Sequence, residues 1–265
     1  MVFFRSTALR FSGLILLFFT VYNSSASAFS AKRQFYQLQI FHVKDQVQEK
    51  EMDQFLADAY LPAAHRAGLS QVGVFKTFGI DTATVKKIYV LTAFNSLDEL
   101  LKTNKRLESD RELIEKGSSF VNAAYNKPAF IRKEVILMEA FSGMPIWKKP
   151  ELNGPKANRI YELRNYESNS DKLYRNKVQM FDKEEMEIFE RIDSHPMFYG
   201  EVIAGSRMPN LMYMTVYADR ASRDEHWKTF SGDPKWKQVS ALPEYKNNVA
   251  VVDITFLSPA AYSDL

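Results

Sequence analysis

Residues 159–166 read RIYELRNY, and this segment decides the fold because a fainter copy, QFYQLQIF, occupies residues 34–41. The two copies are 125 residues apart, and their matched pairs are Tyr36, Leu38 and Phe41 with Tyr161, Leu163 and Tyr166. Further along the offset is 123 residues, and the matched pairs are Thr92, Phe94 and Asp110 with Thr215, Tyr217 and Asp233. A change of two residues is an ordinary difference in loop length, so the chain is predicted to contain a duplicated unit.

The pattern of apolar residues predicts the same order of elements, βαββαβ, in both copies. In the first copy, strands are predicted at 35–43, 72–78, 87–94 and 130–141, and helices at 51–66 and 97–125. In the second, strands are predicted at 159–166, 197–205, 211–218 and 249–257, and helices at 171–193, at 222–230 and after the N-cap Asp233. A βαββαβ unit is the ferredoxin-like arrangement, an antiparallel sheet with helices on one face.

The fold class predicted from this order is α+β, with two tandem ferredoxin-like domains. Several glycines and prolines interrupt the pattern at 143–158, which predicts a linker between a first domain at 29–142 and a second at 159–265. Two sheets with one bare face each are most simply buried against each other, as an α/β barrel. The sequence leaves open whether that barrel closes within one chain or across a homodimer.

Side chains alternate across a strand, and the first strand of each copy has one apolar and one mixed face. The apolar faces are predicted to pack against the helices, and the mixed faces to point into the barrel. In the first copy the apolar face carries Tyr36, Leu38 and Ile40, and the mixed face Phe35, Gln37, Gln39 and Phe41. In the second copy the mixed face carries Ile160, Glu162, Arg164 and Tyr166.

The first 28 residues have the pattern of a cleaved signal peptide. Arg5 and Arg10 form a basic start, residues 11–22 are largely apolar, and Ala26-Ser27-Ala28 matches the small-residue cleavage pattern. The apolar run has about 12 residues, whereas a membrane-spanning helix needs about 20. We therefore expect export to the periplasm or beyond, and no membrane span in the mature chain.

The composition is that of a globular protein, with 46% hydrophobic and 25% charged residues. Removal of the leader would leave 33 basic and 32 acidic residues, with no basic stripe, so nucleic acid is not expected as a partner. The absence of cysteine excludes disulfides, thiolate chemistry and cysteine-bound metals. No metal site is predicted.

From about residue 34 onward the chain resembles the NIPSNAP family, a branch of the dimeric α/β-barrel superfamily. The resemblance is carried by YELRNY at 161–166 and by DEHWKTF at 224–230, followed by DPKW at 233–236. The first half resembles a diverged copy, because Gln37 and Gln39 stand where the second half has a glutamate and an arginine. The resemblance implies the barrel fold and a homo-oligomer, here a dimer, and it brings no agreed catalytic residue.

Glu162 and Arg164 form the sharpest chemical feature, because both are predicted to project from one strand toward the barrel interior. An arginine there can clamp a carboxylate or phosphate with two hydrogen bonds. The alternative is a structural ion pair in which Glu162 satisfies Arg164, with a hydrogen bond from Tyr166. As a ligand site, these three residues are grouped with Tyr213 and Tyr217 against a small anionic or aromatic molecule.

None of the four histidines has the spacing of a metal ligand, although a histidine can serve as a proton shuttle or haem ligand. His65 and His195 each end a helix, where an imidazole can cap carbonyl groups. His226 belongs to the DEHWKTF motif, in which Trp227 and Phe230 suggest packing. His65 and His226 are retained as candidate ligand-binding residues, and no cofactor is predicted, with haem as the open alternative.

Three functional hypotheses follow. The first is an exported protein that binds a small molecule in the barrel, without an assigned catalytic activity. The second is a cofactor-independent monooxygenase or a haem-handling enzyme, since such activities occur on related barrels; this rests on analogy of fold alone. The third is a purely structural interaction protein, which would expose an apolar patch. Phosphate-binding glycine loops and the signatures of serine hydrolases and zinc proteases are absent from the sequence.

Overall fold

A computed structural model describes Met1 and residues 32–78 and 86–265, so the predicted signal peptide lies almost wholly outside the described residues. Eight strands and nine helices are described, and each half follows the predicted order. The strands are β1 (Phe35–Val43), β2 (Gly73–Thr77), β3 (Lys86–Phe94), β4 (Arg132–Ala140), β5 (Ile160–Glu167), β6 (Pro196–Ala204), β7 (Asn210–Tyr217) and β8 (Val251–Pro259). The helices are α1 (Gln46–Phe55), α2 (Leu61–Arg66), α3 (Leu97–Glu108), α4 (Arg111–Lys116), α5 (Ser118–Val121), α6 (Asp171–Met180), α7 (Met186–Arg191), α8 (Arg220–Gly232) and α9 (Pro234–Ser240).

The eight strands form one closed barrel in the order β1-β3-β2-β8-β5-β7-β6-β4, with every neighbouring pair antiparallel. The two halves join through β2 with β8 and through β4 with β6. The barrel therefore closes within one chain, which resolves the alternative that the sequence left open. The predicted domain limits at 29–142 and 159–265 stay a prediction.

The duplication is visible in the register of the strands. Phe35 pairs with Phe94 in the first half, and Ile160 pairs with Tyr217 in the second, at the same offsets of 125 and 123 residues. A π-helical turn interrupts the first long helix of each half at equivalent positions, Leu56–Tyr60 and Phe181–Glu185. Such turns are rare, so their recurrence at one offset supports a common origin for the two halves.

Equivalent aspartates begin equivalent helices. The side chain of Asp110 accepts a hydrogen bond from the backbone N–H of Leu113 at the start of α4, and Asp233 accepts hydrogen bonds from two N–H groups at the start of α9. These bonds satisfy backbone donors that have no partner within the helix. Asp233 was predicted as an N-cap from sequence, and the structure confirms it.

The assignment of the strand faces was wrong. Tyr36 and Leu38 point into the barrel, whereas the mixed faces that carry Gln37 and Glu162 point outward, toward the helices. An eight-stranded barrel is just wide enough to be filled by side chains, so its interior takes the large apolar residues. Its buried interior side chains include Tyr36, Leu38, Ile40, Phe75, Leu91, Met138, Tyr161, Leu163, Phe198, Met214, Val216 and Leu257.

The helices cover the outer faces and enclose a separate apolar layer in each half. In the first half, Met52, Leu56 and Ala59 of the first helical segment pack against the sheet, as their spacing predicts. In the second half, Phe181 and Phe189 pack against tyrosines of β6 and β7. Within residues 32–78 and 86–265, no helix is both long and apolar enough to span a membrane.

Candidate functional site

Glu162 is the centre of a buried network between the sheet and the helices of the second half. Its carboxylate is fully buried and accepts hydrogen bonds from Arg164 Nε at 2.6 Å, from Arg223 Nε and Nη2 at 2.6 and 3.0 Å, and from Trp227 Nε1 at 2.9 Å. Arg223 and Trp227 lie one turn apart on α8. The carboxylate is thus held by three side chains from two elements.

Arg164 is satisfied in the same way. Its guanidinium lies over the Trp227 ring at 3.6 Å from the ring centroid, and Nη1 donates to the Tyr166 hydroxyl at 2.9 Å. That hydroxyl and the hydroxyl of Tyr213 share a further hydrogen bond of 2.8 Å, and burial raises the pKa of Tyr213 well above its usual value. The geometry is that of the structural ion pair, with the tyrosine hydrogen bond that the sequence analysis considered.

The other predicted site residues lie apart from this network or at its edge. Tyr217 is buried, with its hydroxyl 3.4 Å from that of Ser194 and its ring 5.5 Å from the His226 ring. His226 Nδ1 donates to the Ser222 carbonyl within α8 at 2.7 Å. His65 lies in the other half, and its Nε2 is 2.9 Å from Asp264 Oδ2, so its ring contacts a carboxylate and not helix carbonyl groups.

The equivalent space in the first half is open. Gln37 and Gln39 replace Glu162 and Arg164, and Asn104 stands at the position of Trp227. Without an indole at 104, a cavity of about 410 Å³ remains between the sheet and the helices. Its lining residues are Gln37, Gln39, Phe55, Tyr60, Asn104, Leu107, Glu108, Leu113, Ile114, Phe120, Val121, Lys133 and Val135. We call this space the first-half cavity.

Three polar side chains converge on the floor of the first-half cavity. Gln39 Nε2 donates to Gln37 Oε1 at 3.0 Å and lies 3.5 Å from the Tyr60 hydroxyl. Among the described residues, Gln37 Nε2 and Gln39 Oε1 have no hydrogen-bond partner, so one donor and one acceptor are left for a bound molecule. Burial raises the pKa of Tyr60 to about 12, so its hydroxyl is protonated and can donate at neutral pH.

The walls of the first-half cavity are apolar, and several remain accessible. Phe55 and Phe120 stack face to face with ring centroids 3.8 Å apart. Ile114, Val121 and Val135 are 38%, 47% and 43% exposed, although they lie beside buried core residues. Apolar walls with a few converging polar groups are the usual composition of a small-molecule site.

Three further cavities are described, and their lining residues differ from those of the first-half cavity. Cavities of about 520 and 310 Å³ adjoin along residues 143–151 and share Lys148, Glu190 and Pro196 as lining residues. The larger one is bordered by His195, whose backbone has a left-handed φ of 44°. A third cavity of about 310 Å³ opens at one mouth of the barrel and is mainly polar. None of the four cavities is lined by Glu162 or Arg164.

Several residues of the Glu162 network and of the first-half cavity were not predicted from the sequence. Arg223, Asn104, Tyr60 and Lys133 were not singled out, and Trp227 was assigned to packing alone. A signal for one of them was present, because the offset of 123 residues aligns Asn104 with Trp227 and thus predicts missing volume. Within residues 32–78 and 86–265, no group of three or more histidine, aspartate or glutamate side chains is arranged to hold a metal ion.

The comparison with protein families identifies the second half. Residues 161–264 match the NIPSNAP family model, so this part of the chain is a NIPSNAP domain and the resemblance seen in the sequence is confirmed. A NIPSNAP family protein from Agrobacterium tumefaciens is 18% identical, with a TM-score of 0.37, over 44% of this chain and 98% of its own. No curated protein sequence matches the chain significantly.

Over most of its length the chain is similar in fold to two candidate monooxygenases of known structure. The protein from Lactobacillus acidophilus is 15% identical, with a TM-score of 0.54, over 86% of this chain and 94% of its own. The protein from Fusobacterium nucleatum is 12% identical, with the same TM-score, over 86% and 93%. At such identities the similarity concerns the fold, and it confirms a mixed α/β barrel.

Proposed function

We propose that this protein binds a small molecule in the first-half cavity. One observation carries the proposal: two halves with the same architecture differ at equivalent positions, so that one is closed by Trp227 on a paired arginine and the other is open over two incompletely paired amides. Because both glutamines line an accessible cavity, a bound molecule can reach the unpaired amide donor and acceptor. Each new hydrogen bond to them contributes on the order of 1 kcal/mol to binding.

The lining defines the kind of molecule that fits. The stacked pair of Phe55 and Phe120 and the side chain of Val135 favour a flat, apolar body, and the free amide donor and acceptor favour at least one carbonyl or hydroxyl group. A volume of about 410 Å³ suits a molecule of two or three fused or linked rings. In this proposal, the residues of the second half that were predicted to bind a ligand, such as Arg164, form the closed counterpart of the first-half cavity.

Filling the cavity tests the proposal. Asn104→Trp, which introduces the side chain of the equivalent position 227, is expected to weaken binding of the neutral fluorescent probe N-phenyl-1-naphthylamine at least about tenfold. Val135→Trp, at an exposed wall position, is expected to do the same from the opposite side. Leu101→Trp is the matched control, because Leu101 lies on the same helix as Asn104, is 59% exposed and does not line the cavity.

Fluorescence titration of the purified chain measures these affinities, and circular dichroism confirms that each variant is folded. Unchanged affinity in both folded cavity variants contradicts the proposal, because the probe would then bind elsewhere. Native mass spectrometry of residues 29–265, prepared from the exported fraction of the host, provides the independent reading. A stoichiometric extra mass in the wild type that is absent from Asn104→Trp supports the same site.

We further propose that the chain consists of two tandem ferredoxin-like units of the dimeric α/β-barrel type, joined by duplication. The repeated βαββαβ order, the equal strand registers and the equivalent π-helical turns support this origin. One chain of this protein already closes the barrel. A relative with a single βαββαβ unit would need two subunits to form the same barrel. Separate expression of each half, followed by mixing, tests whether they are autonomous units.

Export and self-association are also proposed. Export rests on the leader pattern of residues 1–28, and N-terminal sequencing of the protein from its host tests it. A homodimer is supported by exposed apolar side chains on β8, where Val252 and Ile254 are 50% and 42% exposed. Light scattering coupled to size-exclusion chromatography measures the mass, and a single-chain mass at all concentrations argues against the dimer.

A monooxygenase or haem-handling activity is the second candidate. It is favoured by the similarity in fold to two candidate monooxygenases over 86% of the chain and by His195, which borders the cavity of about 520 Å³. Oxygen uptake with quinol-like substrates and titration with haem test it. No uptake and no Soret shift on haem addition remove this candidate, whereas a response lost in His195→Ala assigns it to that cavity.

A further inference from the structure

We infer that the molecule held in the first-half cavity is an anion and that Lys133 provides its counter-charge. The inference rests on the proposed function and specifies the class of ligand: an apolar body that carries one acidic group, such as a carboxylate, a sulfonate or an ionised phenol. Lys133 lies on the outward face of β4, two residues from Val135, and its side chain lines the cavity.

Within residues 32–78 and 86–265, no acidic side chain forms an ion pair with Lys133. Its ammonium lies 5.3 Å from the centroid of the Phe41 ring, and burial lowers its pKa with no charged neighbour to oppose the shift. Lys76 on β2 shows the usual arrangement, because its ammonium lies 2.9 Å from the carboxylate of Glu49 and 2.5 Å from that of Asp53. The Lys133 side chain is exposed at the cavity, so its ammonium can pair with an acidic group that enters there.

The cavity itself supplies the place for that partner. A molecule that stacks on Phe120 and contacts the amides of Gln37 and Gln39 lies within the same lined volume as the Lys133 side chain. Glu108 also lines the cavity, but its side chain belongs to the exposed rim, where solvent screens its charge. One acidic group on the ligand can therefore pair with the Lys133 ammonium.

Two fluorescent probes that share one frame separate charge from shape. The anion 8-anilinonaphthalene-1-sulfonate carries a sulfonate that N-phenyl-1-naphthylamine lacks. Lys133→Met is expected to weaken binding of the sulfonate probe by about tenfold or more and that of the neutral probe by less than about twofold. Lys133→Arg keeps the charge and is expected to keep the preference. Lys102→Met, at an exposed lysine paired with Asp98 on α3, is the matched control.

The outcomes distinguish this inference from the proposed function. If Lys133→Met weakens both probes equally or neither, the anion inference is wrong, while loss of both probes in Asn104→Trp still supports the cavity. If Asn104→Trp and Val135→Trp leave both affinities unchanged, the proposed site itself is wrong. A sulfonate preference that disappears in Lys133→Met, persists in Lys133→Arg and declines with added NaCl establishes the counter-charge.

Discussion

Replacing Glu162 by alanine is expected to lower the free energy of unfolding by about 3–5 kcal/mol, because it removes the carboxylate that two arginines share in a buried layer. Arg164 is 8% exposed and Arg223 is half-buried, and together with Trp227 they donate four hydrogen bonds of 2.6–3.0 Å to this carboxylate. Chemical denaturation at pH 7 measures the change. For a chain of this size, the thermal midpoint is expected to fall by roughly 10 °C.

The duplicated half provides the control for this experiment. Gln37 occupies the position equivalent to Glu162, is also buried, and its side chain accepts one neutral hydrogen bond, so Gln37→Ala is expected to cost about 1 kcal/mol. A loss below 1 kcal/mol for Glu162→Ala contradicts the structural role of the network. Arg164→Met extends the test: strong destabilisation with unchanged probe affinity excludes Arg164 as a ligand-binding residue of the proposed cavity.

The repeat and the order of elements were predictable because they depend on local periodicity and on matches at a fixed offset. The strand limits predicted for Phe35–Val43 agree with the structure, and those for the other strands differ by a few residues. The faces were not predictable in the same way. Alternation shows that Leu38 and Gln39 face opposite sides, but both sides of a barrel strand are covered, so the pattern does not say which side is the interior.

Charged residues directed the site prediction to the second half. Glu162 and Arg164 are conspicuous as a sequence feature, but in the fold each satisfies the other and Trp227 closes the space above them. The first-half cavity is lined by less conspicuous residues, two glutamines and an asparagine. It is open because the Asn104 side chain is smaller than the indole of Trp227. Missing volume becomes readable only when the two halves are aligned and Asn104 is compared with Trp227.

A second buried pair, Lys177 with Glu185, gives the other large expected effect. The two side chains are 5% and 3% exposed and form an ion pair beside the π-helical turn of the second half. Burial raises the pKa of Glu185 above its usual value, and Lys177 only partly opposes this shift. Lys177→Met, which introduces the residue of the equivalent position 52, leaves that carboxylate alone and is expected to cost about 3–5 kcal/mol at pH 7.

The sign of the pH dependence follows from the raised pKa of Glu185. Below the pKa of the unfolded chain, about 4.3, the carboxyl is protonated in both states and Lys177→Met carries no charge penalty from it. As pH rises above that value the unfolded chain ionises first, so the variant loses stability relative to the wild type until the folded carboxyl ionises too. Denaturation midpoints from pH 4 to pH 8 measure this loss.

The double variant Lys177→Met with Glu185→Leu decides between the two explanations of that loss. If an unpaired buried charge is the cause, removing the carboxylate restores stability to within about 1–2 kcal/mol of the wild type and flattens the pH dependence, because apolar side chains of similar volume replace buried ion pairs at little cost. If the double variant is as unstable as Lys177→Met, packing of the lysine stem on Phe181 is the cause instead, since its ammonium lies 4.6 Å from that ring's centroid. Equal stability of all three proteins would show that the pair contributes nothing to folding.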